Sequence, residues 1–466
     1  MSQLKALVDI ITQQSAILQE AYATSGSEVP SLDGRFQPGP LEFDFNLAHT
    51  RQLMVGAALQ LIATVQSPGE YLQDFAFSFH KSATIGFVVD VNIPEILADA
   101  GTDGLHVDDI AKEAKVNPSH LARVLRFLAI RHIFQEVRPN VFAHNRVSTM
   151  LIRKKTLKEI RADPVGRFDE SPWASNVHLA ADVGLRSAPY LSSYLQNPDQ
   201  APTAFNIMLK NPKTLWEYFE EPGNEWRVRR FSAVMDSWTG MLPPEITIEG
   251  EYLRNTDQFR AKGVDIGIDG NALKPNDVVV DVGGNVGPAA LLLKNAYPHL
   301  RYVVQDLSKP IAEGEKFWNE KDPEAIKSGQ VTLQAHDFFS PQPVKNAAVY
   351  FLRGIVHNWS DAQATQILSH LREAAAPSSK LVIFDMLGRH TCEDPNLEGL
   401  DLPKAPYPLL AQLGVELPSY MDMVMLMYLG GQERTKDEFA ALGLRTGWKL
   451  ERVKPGILAT FVFTAI

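Results

Sequence analysis

The run VVVDVGGNVG at positions 278–287 constrains this chain more than any other stretch. Three β-branched residues leading to an acid predict a short, buried parallel strand that ends at Asp281. Gly283, Gly284 and Gly287 then allow a turn in which main chain lies against a ligand, where a Cβ would collide. Pro288 suits the first turn of a helix, whose N–H groups have no partner within the helix. The helix is expected over 289–296 and a second apolar strand over 301–305, ending on Asp306, where an acceptor for ribose hydroxyls belongs. This order of elements predicts a nucleotide-type crevice at the carboxyl edge of a doubly wound α/β sheet.

Glycine turns of this kind serve nicotinamide, flavin and methyl-donor enzymes alike, so the residues downstream of the turn must choose among them. Short apolar runs at 331–335, 347–352 and 380–384, each bounded by polar or proline-bearing segments, extend the parallel sheet. Ser360 with Gln363, and Thr435 with Glu438, have the spacing of capping boxes. The helix opened by Ser360 would turn Ile367, Leu368 and Leu371 inward. Residues 448–453 and 457–464 flank Pro455-Gly456 and predict a closing antiparallel hairpin. A nicotinamide-dependent oxidoreductase is disfavoured by that hairpin.

With 466 residues and 45% apolar content, the chain can bury a large core in two or three lobes. The first 22 residues are amphipathic with helical spacing but lack the basic start, apolar core and cleavage site of a secretory leader. No apolar run reaches membrane-spanning length, so the cytoplasm is the expected compartment. Residues 23–43 read as a linker rich in Ser, Gly and Pro. Helical patterning resumes at 46–90, where Leu53, Met54, Ala57, Leu61 and Ile62 share a face and Phe75, Phe77, Phe79, Ile85, Phe87 and Val88 come after them. Such an apolar surface predicts burial against a second copy, hence a homodimer.

Residues 91–149 read as a winged helix, with helices at 93–100 and 107–114, a third opened by Asn117-Pro118, and a wing hairpin from 133–137 and 141–143. This shape also reads DNA, and Arg123, Arg126 and Arg131 offer a basic edge. A net charge of -10 and a pI near 5.7 argue against nucleic acid, because a binding face needs concentrated Lys and Arg. From 171 to 252 the chain is helical and dense in aromatic side chains, including Trp216, Phe219, Phe231 and Trp238, which predicts the lining of an apolar pocket. A single cysteine, Cys392, excludes an internal disulfide and a thiolate zinc cluster. Two domains are therefore expected. The first, 1–155, is helical with a winged helix; the second, 156–466, comprises a pocket segment at 156–255 and the sheet core at 256–466.

Six motifs occur in order: VVVDVGGNVG, VVQD, HDFF, LRGIVHNWSD, KLVIFD and GGQER. In order and spacing they resemble the caffeate-type small-molecule O-methyltransferases of plants and fungi. The resemblance covers nearly the whole chain and is closest between Val278 and Arg434. It implies a class I methyltransferase fold that binds S-adenosylmethionine and releases S-adenosylhomocysteine, with an N-terminal dimerisation domain. By motif position, Gly283 would lie against the methionine end of the cofactor, Asp306 on its ribose, and Asp337 with Phe338 at its adenine, with Asp281 and Gly284 also in the cofactor site. Arg353 stands where the family often has a lysine.

His357 would be the general base, flanked by Asp385 and Glu433, which orient the imidazole and stabilise its cation. Transfer to a phenol removes a proton of pKa about 10, and a neutral histidine suits that task. Asp385 is shorter than the glutamate of many plant members. Asn358 stands where an aspartate is frequent, and Gly354 where a tryptophan is. Phe231, Met235, Trp238, Trp359 and Met425 would line the substrate pocket for a small aromatic molecule. No cluster of hard oxygen ligands suggests a metal. The segment 388–418 resembles a lid of fungal members. Some fungal relatives use the same fold for pericyclic reactions, and His357 with Glu433 argues for methyl transfer instead.

Overall fold

The computed structural model describes residues 2–39, 41–42, 44–240, 270–392, 394, 417–454 and 458–466. Contacts divide the chain into two compact units, one built from the described residues up to 240 and the other from those beyond 270.

The first unit opens with a helix, Gln3–Thr24, capped by Ser2 and packed on a second helix, Phe45–Val65. Next come Pro68–Ala76 and Phe79–Asp90. Here the apolar residues divide. Leu53 and Val88 are buried, whereas Leu72 (68% exposed), Phe75 (72%), Phe77 and Phe79 face outward. The winged helix is present: helices Val107–Ala114 and Pro118–Ala129 pack beside strands β1 (Leu105–His106), β2 (Gln135–Arg138) and β3 (Val141–Ala143), in the order β1-β3-β2. Asn117 caps its helix, accepting from the main-chain N–H groups of Ser119 and His120 at 3.0 and 3.1 Å.

Two details differ from the expected boundaries. The helix at 93–100 is a single turn, Ile93–Ile96, because the chain tightens into i to i+3 bonds and then turns at Gly101, whose φ is +62°. The wing begins at Gln135, since His132 and Phe134 both take positive φ. Two of the three arginines of the supposed basic edge are engaged within the unit. Arg126 bonds Glu136 and Asn140, and Arg131 lies 3.9 Å over the ring of Phe127.

The helices between Leu157 and Gly240 group by contacts with this first unit. Helix Glu225–Gly240 packs along Pro172–Leu179. Between them Arg230 is fully buried and donates to Asp182 at 3.1 Å. Burial pulls its pKa down to about 10 against the opposing charge of Asp182.

The second unit is organised by one seven-stranded sheet: β4 (Val278–Val282), β5 (Arg301–Asp306), β6 (Val331–Ala335), β7 (Val349–Arg353), β8 (Lys380–Asp385), β9 (Trp448–Lys454) and β10 (Ala459–Ala465). Their order is β6-β5-β4-β7-β8-β10-β9. The first five are parallel, and β10 runs antiparallel to both β8 and β9. Alternation along β4 sends Val279 to one core and Val280 and Val282 to the other, so both faces are covered. Strand order reverses at β4, which pairs with β5 on one side and β7 on the other. Ligands of such sheets bind at the carboxyl edge of this point.

Both capping boxes form, at Ser360 ahead of Asp361–Ala374 and at Thr435 ahead of Lys436–Arg445. Among the described residues, no helix is long and apolar enough to cross a membrane. Cys392 is an exposed free thiol. The segment 388–418, expected to be a lid, lies mostly outside the described residues.

Candidate active site

The glycine turn after β4 is fastened to the end of β5. The N–H groups of Gly283 and Gly284 donate to the Gln305 carbonyl at 2.8 and 2.9 Å. Asn285 and Leu307 donate their main-chain N–H groups to the two oxygens of Asp306 at 2.8 and 2.7 Å. Gly283 has φ +73°, and a Cβ there would fall 2.6 Å from Ile355, with the Phe338 ring at 3.5 Å. At Gly284 a Cβ would lie 2.6 Å from the Asp281 carboxyl group. Both positions therefore require glycine, here for close approach to neighbouring side chains of the chain itself.

Asp281 is buried. It accepts from the N–H of Ala290 in the first turn of helix Pro288–Ala296, and its Oδ2 has no partner. Burial raises its pKa to about 7, with the charge of Arg353 working in the other direction. Arg353, half-buried at the end of β7, is lowered by burial and supported by Asp281. Burial also raises Asp306, against its two main-chain donors. Asp337 is exposed, and one of its oxygens accepts from the N–H of Phe339 at 2.9 Å. Phe338, Phe339 and Trp359 meet edge to face, with centroids 4.9 to 5.7 Å apart.

Beyond β7 the chain turns at Gly354, φ +63°, and a 3-10 turn, Val356–Asn358, carries His357. The imidazole Nδ1 lies 2.8 Å from Glu433 Oε1. In the neutral form, with the proton on Nδ1 facing that carboxylate, Nε2 is the acceptor. A Cβ built on Gly354 would have Nε2 as its nearest neighbour, at 3.9 Å, so this turn lies close to the ring. Asp385 accepts from the main-chain N–H of His357 at 3.1 Å. It therefore grips the backbone, whereas the family resemblance implied an acid on the ring. The aspartate is one methylene shorter than a glutamate and stops at the amide.

Burial alone would lower the His357 pKa. The charge of Asp385, together with the hydrogen bond and charge of Glu433, outweighs it and raises the group to about 9. Asp385 is itself pushed up to about 6 by burial, against the attraction of His357.

The pocket candidates fall in both units. In the first, Phe231 stands edge-on to Trp216 at 5.1 Å and lies 5.6 Å from Phe219. Met235, one turn on, is 40% exposed. Trp238 belongs to the same helix, and its side chain lies outside those described. In the second, Met425 is buried on helix Leu417–Tyr428, and Trp359 packs on Phe338 and Phe339. Among the described residues, no group of three or more His, Cys, Asp or Glu side chains could hold a metal ion.

Two functional neighbours were not read from the sequence. Asp422 accepts from the Glu433 N–H at 2.8 Å, and Arg434 is buried beside the His357 turn. The GGQER motif held the signal for Arg434, because a charged residue directly after a site acid in a glycine-led strap needs partners wherever it is buried.

Comparison with known proteins gives the family. Residues 256–449 match the O-methyltransferase domain, and residues 73–154 match the O-methyltransferase dimerisation domain. An O-methyltransferase of Armillaria gallica is 35% identical over 97% of this chain and 95% of its own length. The 4-O-methyltransferase 1 of Phanerochaete chrysosporium is 34% identical over 96% of this chain and 95% of its own. The chain belongs to the O-methyltransferase family. Its fold is shared with an O-methyltransferase from neocarzinostatin biosynthesis, solved with S-adenosylmethionine and 2-hydroxy-5-methyl naphthoic acid. That structure has TM-score 0.56 and 20% identity, covering 83% of this chain and 96% of the other.

Proposed function

We propose that this protein transfers the methyl group of S-adenosylmethionine to a hydroxyl of a small aromatic secondary metabolite, with His357 as general base. The observation that carries this reading is the 2.8 Å bond between His357 Nδ1 and Glu433, which orients the imidazole and assigns the accepting role of its neutral form to Nε2. The presence of His357 with Glu433 argues against a pericyclic reaction on this fold.

The residues present fit the cofactor. The unpartnered, buried Oδ2 of Asp281 suits a cationic or amide-bearing group, and the absence of a Cβ at Gly283 and Gly284 lets main chain approach a ligand. Asp306, half-buried with lone pairs to spare, suits ribose hydroxyls, and the Phe338 ring suits a flat heterocycle, with Asp337 beside it. When bound, S-adenosylmethionine supplies a methyl group on a positively charged sulfur. The chain's own part is to orient the hydroxyl and take its proton. His357 Nε2 receives it, and Glu433 and Asp385 stabilise the imidazolium. A histidine near pKa 9 and a phenol near about 10 are closely matched, so proton transfer is nearly balanced in energy.

The naphthoic acid in the neocarzinostatin neighbour supports an aromatic substrate, and Phe231, Met235, Trp238, Trp359 and Met425 are the lining residues proposed from the sequence. The dimerisation match and the outward apolar residues Leu72, Phe75, Phe77 and Phe79 support a homodimer. Labelled methyl donor with a panel of phenols tests the activity. His357→Gln is expected to lower turnover about a hundredfold while S-adenosylhomocysteine still binds. Turnover within twofold of wild type would remove His357 from the mechanism.

A further inference from the structure

We infer that Arg434 is a positioning residue that holds the His357 turn in register with Glu433, an inference that rests on the reading of His357 as the base. The Arg434 side chain is 0% exposed and spends its three nitrogens on the His357 turn, the residue after it and the start of the next helix. Nη1 donates to the Val356 carbonyl at 3.0 Å, Nη2 to the Trp359 carbonyl at 2.8 Å, and Nε to Asp361 at 3.0 Å. The two carbonyls bracket His357 and Asn358.

Neighbouring residues extend the same seam. Gln432 donates its main-chain N–H to the His357 carbonyl at 3.0 Å and its side-chain amide to Asp361 at 2.9 Å. Gly431 lies so close that a Cβ would fall 2.0 Å from the His357 carbonyl oxygen. The Arg434 carbonyl accepts from Gly388 at 2.9 Å, which ties the strap to the end of β8 as well.

The reason for such fastening is geometric. His357 and Glu433 lie 76 positions apart, so a 2.8 Å bond between them persists only if their two segments move as one. A 3-10 turn satisfies its own carbonyls poorly, and the buried ones need outside donors. A planar guanidinium supplies several donors in fixed directions; a lysine ammonium is a single point that reaches one carbonyl at a time. The other charged groups around the pair are Asp385 from β8 and Asp422 from helix Leu417–Tyr428. Asp361 keeps a second partner, Arg445 at 2.8 Å, when Arg434 is altered.

The test uses the full chain with ¹³C-labelled histidine. His357 is assigned by its loss in His357→Gln and titrated by NMR in wild type, Arg434→Lys, Arg434→Gln and Arg445→Ala, alongside turnover, S-adenosylhomocysteine binding and thermal unfolding. In Arg434→Lys the His357 titration is expected to fall by about a pH unit or more as the Glu433 contact loosens. Turnover falls on the order of ten- to a hundredfold, with binding of S-adenosylhomocysteine retained. Arg445→Ala leaves both unchanged. A folded Arg434→Lys or Arg434→Gln with wild-type titration and turnover overturns the inference. So does loss of folding in both, which would make the residue purely structural. If the wild-type chain methylates no phenol, the proposed function fails, and the titration still decides the role of Arg434.

Discussion

The main-chain N–H of His357 donates to Asp385 at 3.1 Å, so the shorter acid fixes where the residue sits while Glu433 fixes how its ring turns. These roles separate by pH. With His357 as the proposed base, the rate should track the neutral imidazole and rise through the histidine pKa, about 9. Glu433→Gln removes a stabiliser of the cation, so the ascending limb of the pH–rate profile should move to lower pH while the plateau falls about tenfold or more. Asp385→Asn keeps an oxygen for the main-chain N–H; its limb should also move down, with a smaller loss of plateau. A limb that stays in place in Glu433→Gln would contradict this account.

Asp306 holds the glycine turn through Asn285 and Leu307. Asp306→Ala is expected to weaken S-adenosylhomocysteine by about 1.5 to 3 kcal/mol, since charge-assisted bonds and the turn that frames them are both lost. Calorimetric titration measures it, and unchanged affinity would exclude a ribose contact.

Gly431→Ala brings a methyl group against main chain of His357 and Asn358 at 2.0 and 2.6 Å, and neither can yield without moving the base. The expected result is a loss of about 1 to 3 kcal/mol in denaturant unfolding, with a drop in turnover. Gly69 sits in open space at the start of helix Pro68–Ala76, so Gly69→Ala should leave both nearly unchanged.

Leu72 and Phe75 are exposed on the same helix. If they lie in a subunit interface, Leu72→Glu with Phe75→Glu should convert a dimer to a monomer in light scattering at low micromolar concentration. A wild-type monomer would remove the proposed assembly.

The elements around the site were legible where local pattern decides them. The β-branched run before Gly283, the capping boxes at Ser360 and Thr435, and Asn117-Pro118 each declare an element boundary through their own chemistry, and each is observed. The strand at 347–352 begins two residues late, at Val349, because apolar character does not separate a strand from the buried residues leading into it. Interactions with main chain left no trace. Arg434 meets the carbonyls of Val356 and Trp359, which any residue types would supply, and Asp385 meets an amide. Arg230 was hidden for a different reason. Its partner Asp182 lies 48 positions away, and only the packing of two helices joins them.

The grip of two acids on His357 also bears on what happens after the methyl group has moved. On the proposed mechanism each round leaves one proton on the imidazole, and a group with pKa near 9 parts with it slowly near neutral pH. Its ring nitrogen Nδ1 faces Glu433, and the side chain is only 14% exposed, so water has little access. Resetting the base then depends on proton carriers from solution. At constant pH and ionic strength, turnover should climb with the concentration of a small mobile buffer and level off once return of the proton to bulk water no longer sets the pace.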